Sequence, residues 1–205
     1  MNTGYQALII IWFLILFSWI GFFDRFFQLH PMNKRWVIRF LLLFLFGAGY
    51  QIPLPDHGQL SIISFLLPFV ISVWVWIRLG DTNRLHVLTA SFLVGTSIFL
   101  LRLLLQLDPV LMVMNEKYMQ VGLMLFLVNV ATHAPIQQFV LLGFGLTFSE
   151  IGFQYYQWEK TGHYELGSFA YCDLWWLTFI SLITFQLVLG RVKWALFWRK
   201  NRAEI

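Results

Sequence analysis

Long apolar runs with no periodic polar face recur down the whole chain. A helix rises about 1.5 Å per residue, so about 20 apolar residues cross the hydrocarbon of a bilayer. That length predicts spans at Tyr5–Phe23, Trp36–Leu54, Leu60–Ile77, Leu85–Leu107 and Ala170–Gly190. Between the last two lies Tyr118–Phe153. As a single helix it would reach about 54 Å, too long for the membrane. Pro135 sits near its middle, with His133, Gln137 and Gln138 around it. Proline breaks or kinks a helix interior. The segment therefore divides into two short pieces, Tyr118–Thr132 and Pro135–Phe153. These either cross separately, giving seven spans, or form a re-entrant hairpin beside five. Both versions belong to one fold class, an all-α polytopic integral membrane helix bundle. Residues 1–205 are expected to form a single transmembrane domain with short loops.

Composition supports this picture. The chain is 59% hydrophobic and 12% charged, with a mean hydropathy of +0.71. Soluble domains are about 45–50% apolar and about 25% charged. A soluble globular domain, a disordered chain and a nucleic-acid module are all excluded by this balance. The net charge of +4 is unevenly placed. Arg25, Lys34, Arg35, Arg39, Arg78, Arg84, Arg191, Lys193, Arg199, Lys200 and Arg202 fall on one side of the predicted spans, which is 11 of the 14 basic residues. Lys117 and Lys160 fall opposite, and Arg102 lies within a span. The positive-inside rule then places the N-terminus outside and the basic C-terminal tail in the cytoplasm, in a cell membrane. The turn around Ala134–Gln138 carries no Lys or Arg, which keeps the re-entrant version open. No basic residue precedes the first apolar run, so it reads as a retained span rather than a cleavable leader.

Aromatic placement adds detail. Trp19, Trp36, Trp74, Trp76, Trp158, Trp175, Trp176, Trp194 and Trp198 fall near predicted span ends, where an amphipathic ring suits the headgroup level. The tail GRVKWALFWRKNRAEI alternates bulky apolar and basic residues. It is either an interfacial continuation of the last span on an anionic leaflet or a plain stop-transfer anchor. Cys172, within an apolar run, reads as a small core residue. Gly47, Gly49, Gly143 and Gly145 read as points of close helix packing.

Ionisable groups inside a bilayer are costly and usually paired. Arg102, Glu150 and Asp173 fall at similar depth in the outer third of their spans, with Gln106 and Gln154 one turn further out. They predict a buried outward-facing polar cluster in which Arg102 bridges Glu150 or Asp173. Such a cluster either binds a headgroup, peptide or ion, or simply locks helices together. A second set, Asn129, His133 and Gln137, is spaced by four and would share one helical face. Beside the break at Pro135 it is either a substrate or ion site of the broken-helix kind or a set of interhelical hydrogen bonds. Asp56 and His57 share an outer loop, but two ligands make no metal site. There is no HExxH, GxSxG or GxxxxGK[ST]. No metal, cofactor or catalytic set is therefore nominated.

The opening MNTGYQALIIIWFLILFSWIGFF, the later SEIGFQYYQWEK at Ser149–Lys160, the length and the hydropathy profile together resemble the small YphA-type membrane proteins of spore-forming Bacillales. The resemblance implies a polytopic membrane protein made during sporulation and involved in spore envelope assembly. It carries over no functional residues. Three functions are consistent with the residues. One is a non-enzymatic scaffold or accessory subunit, whose partners are membrane lipids and other membrane proteins or a second copy, without nucleic acid. Another is a small-solute or ion transporter, or a substrate-binding membrane subunit, using the outward-facing cluster. A lipid-modifying enzyme using Asp173 or Glu150 is a third. The scaffold predicts a packed interior, the transporter a hydrated cavity reaching Arg102 or Asn129, and the enzyme a carboxylate exposed in a cleft.

Overall fold

The computed structural model describes residues 4–21, 34–54, 58–79, 81–112 and 114–203, without the side chains of 34, 36, 81–83, 109 and 189–203. Readings that fall on Arg25, Asp56, His57 or the side chains of the C-terminal tail lie outside the described residues. Among the described residues the helices are α1 (Tyr5–Ile20), α2 (Lys34–Gly47), α3 (Leu67–Ile77), α4 (Asp81–Leu107), α5 (Glu116–Ala131), α6 (Pro135–Thr161) and α7 (Phe169–Ala203). Three stretches among the described residues are long and apolar enough to cross a membrane: Arg84–Leu107, Pro135–Thr161 and Phe169–Val188. Tyr5–Ile20, Val37–Gly47 and Ile62–Ile77 are shorter apolar helical stretches. The all-α membrane bundle is therefore the observed class.

Contacts between helix ends show that the helices alternate in direction. The starts of α1, α5 and α7 meet, because Gly4 and Lys117 both contact Asp173. The end of α5 meets the start of α4, where His86 lies 3.4 Å from the Ala131 carbonyl. At that same end the start of α6 touches α7 through Gln138 and Gln186.

The predicted spans need three corrections. The second span does not continue to Leu54. Helix α2 stops at Gly47, and Gln51–Leu54 forms strand β1. Pro53 cannot donate to a helix, but it is tolerated in an edge strand. Likewise the third span does not begin helically at Leu60. Gly58–Ser61 is strand β2, antiparallel to β1 with Ile52 opposite Leu60, and a π-helical turn at Ile62–Leu66 leads into α3. Strand β3, Tyr164–Leu166, adds parallel to β2 with Gly58 opposite Tyr164. This small sheet joins the α2–α3 and α6–α7 connections at one end of the bundle, here termed the sheet end.

The third correction concerns the middle segment. Helix α5 ends at Ala131, and Thr132–Ala134 is extended or irregular. Pro135 opens α6 rather than interrupting it, because the missing N–H belongs to a position with no helical acceptor. Helix α6 then runs past Phe153 to Thr161, where Gly162 adopts φ +71° and its N–H bonds the Trp158 carbonyl at 2.9 Å. It is a full-length helix, not a short piece.

Helix α6 is the axis of the bundle. Val140–Thr147 is buried without interruption, as expected for a helix apolar on all sides. Its neighbours approach closely. A Cβ at Gly95 of α4 would lie 2.8 Å from the Gly145 carbonyl oxygen and from Phe148 Cβ. At Gly143 a Cβ would overlap Ser72 of α3. Trp175 and Trp176, expected at the interface, are instead buried in the core. Trp176 packs edge-on to Phe44 at 5.2 Å between centroids, and Trp175 stacks on Phe179 at 5.3 Å. Cys172 is buried, as expected.

Candidate functional site

Two of the three predicted cluster residues meet. Arg102, near the sheet end of α4, places Nη1 2.7 Å from Glu150 Oε2 of α6. Its guanidinium carbon also lies 3.6 Å above the centroid of Phe153. The other Glu150 oxygen accepts from Gln154 Nε2 at 3.0 Å, one turn along the same helix. Gln154 Oε1 in turn accepts the Glu165 N–H at 2.9 Å, and Glu165 accepts from Gln51 Nε2 at 2.8 Å. A continuous polar chain thus runs from α4 through α6 into the sheet. Glu150 is 1% exposed and Arg102 13%, so the pair is largely withdrawn from solvent. Gln106, expected to extend this cluster, is exposed on the far turn of α4.

Asp173 is held elsewhere. It sits in the first turns of α7, fully buried, with Lys117 Nζ 2.6 Å from Oδ2. The same oxygen accepts the Gly4 N–H at 2.9 Å, and Oδ1 accepts the Ala7 N–H at 2.8 Å. The N–H groups at a helix start have no intrahelical acceptor and carry a partial positive charge. Asp173 therefore caps α1 from another helix and takes an ammonium at the same time. Lys117 also donates to Gln6 Oε1 at 3.2 Å. The expected single cluster is two separate ion pairs. Lys117 lies just before the predicted span that starts at Tyr118, and nothing in the local sequence pattern identifies its partner on α7.

The second predicted set rearranges at the α5–α6 junction. The break at Thr132–Ala134 disrupts the spacing of four, so Asn129, His133 and Gln137 do not share one face. Asn129 Oδ1 accepts instead from Gln138 Nε2 at 3.1 Å, and Asn129 Nδ2 donates to the Leu125 carbonyl at 2.7 Å. Gln138 also donates to the Thr132 carbonyl at 2.7 Å and accepts from Gln186 of α7. Gln137 accepts from Thr132 Oγ1 at 2.6 Å. His133 lies exposed in the turn. The buried member is Gln138, one residue from the predicted position, and Gln186 was not anticipated.

A cleft of about 320 Å³ opens at the sheet end of α6, between Ile151, Gln154, Tyr155, Trp158, Tyr164 and Leu166. Gln154 is the link between this cleft and the buried Glu150. The buried carboxylates of Glu150 and Asp173 are closed off by basic and amide donors, which suits helix locking rather than proton abstraction or nucleophilic attack.

Comparison with curated proteins and with solved structures finds no match. A family model described as YphA-like integral membrane protein matches residues 10–203. The chain therefore belongs to the YphA-like integral membrane protein family.

Proposed function

We propose that this YphA-like membrane protein is a non-enzymatic scaffold or accessory subunit, assembling within the bilayer with other membrane proteins or with a second copy of itself. The observation that carries this reading is the closure of both buried carboxylates, with Glu150 at 1% and Asp173 at 0% exposure. A general acid or base must reach the proton it moves. A transport pathway lined by these residues would have to present them to water. Neither carboxylate is presented in that way, and each is consumed by helix-to-helix bonds. The perimeter supplies the contact surface instead. Helix α1 turns Ile9, Trp12, Phe13 and Phe17 outward.

The setting we propose is the cell membrane, with the N-terminus outside and the tail in the cytoplasm, on the charge asymmetry alone. Spore envelope assembly is the process suggested by the sequence resemblance. Gentle purification of the full chain from its native membrane, with cross-linking before extraction, tests the scaffold reading. A defined membrane-protein partner, or a discrete homo-oligomer, is expected at fixed stoichiometry. A monomer that moves a solute across proteoliposomes would overturn it, as would turnover of a lipid substrate.

A further inference from the structure

The cleft at the sheet end of α6 has a lining that neither ion pair explains. Three of its six residues are aromatic: Tyr155, Trp158 and Tyr164. The Tyr155 and Trp158 rings stand 6.0 Å apart between centroids, with their planes 54° apart, so their faces are set at an angle to one another. Tyr164 arrives from β3, and the tip of its ring occupies the space a side chain at Gly58 would need. Glycine at that sheet position therefore helps to place the third ring.

Charge decides what such a cleft would hold. No basic residue lines it. Arg102 and Lys160 are engaged on other rings, Arg102 on Phe153 and Lys160 on Tyr156 at 4.5 Å. Glu159, one turn after Tyr155 on the same helix, adds negative charge near that rim. Aromatic faces carry the negative part of the ring quadrupole and attract an ammonium, most strongly when it brings its own apolar shell. The remaining polar contact is Gln154, already bonded on both sides. Inward along α6, the cleft continues onto Ile151, which is exposed and apolar. This helix is itself long and apolar enough to span the bilayer. An ammonium tethered to an acyl chain matches both ends of the cleft.

We propose that the cleft between Tyr155, Trp158 and Tyr164 binds the ammonium headgroup of a zwitterionic phospholipid, with an acyl chain lying along Ile151. This site stands apart from the scaffold reading, because lipid binding there needs no protein partner. The test titrates the purified full chain, in detergent, with short-chain phosphatidylethanolamine, phosphatidylcholine and phosphatidylglycerol of equal acyl length, read by native mass spectrometry. The ammonium lipids should bind about tenfold more tightly than phosphatidylglycerol. Trp158→Leu and Tyr155→Leu should abolish that preference, whereas Trp158→Phe should keep part of it. Both rings are exposed, so thermal unfolding of the variants should match the parent. Equal or tighter binding of phosphatidylglycerol would overturn the proposal. A preference unchanged in both leucine variants would also overturn it, as would selective capture of a lysine peptide over any lipid.

Discussion

Arg102–Glu150 joins α4 to α6, whereas Lys117–Asp173 joins α5 and α7 to the first turn of α1. The first pair reinforces an interface that packing has already made. Gly95 brings α4 close against the α6 backbone, and Phe153 covers the guanidinium. The second pair makes an attachment of its own kind. Two α1 backbone N–H groups depend on one carboxylate, and both of its oxygens are in use. Two buried ion pairs of similar length can therefore differ in consequence. What matters is how many other groups lose a partner when the pair is broken.

The comparison is broken most directly at Asp173. In Asp173→Ala, the Gly4 and Ala7 N–H groups lose their acceptor, and the Lys117 ammonium loses its counter-charge and keeps only Gln6 Oε1. Removing one member of a buried pair costs about 3–5 kcal/mol. Unfolding in detergent should show that loss. Cysteine labelling or limited proteolysis should show α1 released while α6 stays protected. Asp173→Asn keeps one acceptor oxygen and should lose less. If α1 remains docked in the alanine variant, the distinction between the pairs fails.

Arg102→Ala comes next, with an expected loss of about 2–3 kcal/mol, at the upper end for an unsatisfied buried group. It is smaller because Gln154 still bonds Glu150 and the α4–α6 packing remains. Arg102→Lys keeps the charge but loses the planar stack on Phe153 and should cost about 1 kcal/mol. In both variants α1 should stay protected from labelling. Release of α1 would merge the two regions into one cooperative lock.

Hydropathy made the helices legible because lipid burial is a property of a run, and each run can be read locally. Pairing is not local. Arg102 and Glu150 were identifiable because both lie inside apolar runs, where a charge needs a partner. Lys117 falls outside the predicted apolar runs, where a charge needs no partner, yet its partner is on α7. Trp175 and Trp176 were assigned to the interface because a tryptophan near a span end fits the aromatic belt. Phe44 and Phe179 cover them instead, an arrangement set by neighbours from distant parts of the chain. The sheet was missed because its strands are short and merge with flanking apolar runs. Membership of the membrane family agrees with what composition already implied, while the family match itself assigns no role to any of these residues.

The α5–α6 junction sharpens the contrast at the smallest scale. Gln138→Leu removes bonds to Asn129, Thr132 and Gln186 together. Hydrogen bonds between membrane helices average about 0.6 kcal/mol each, so a loss of about 2 kcal/mol is expected for the three. Gln137→Leu breaks the one bond to Thr132 and should cost about a third as much. His133→Ala, at an exposed turn, should fall within about 0.5 kcal/mol of the parent. The order follows from where the helix breaks, since a junction at Thr132–Ala134 turns Gln138 inward and leaves His133 outside. An ion pathway along Asn129, His133 and Gln137 would reverse that order in a functional assay. His133→Ala would then abolish activity with stability unchanged. If His133→Ala instead leaves both stability and function intact while Gln138→Leu lowers unfolding temperature, the junction is a hydrogen-bonded corner of the same scaffold as the ion pairs.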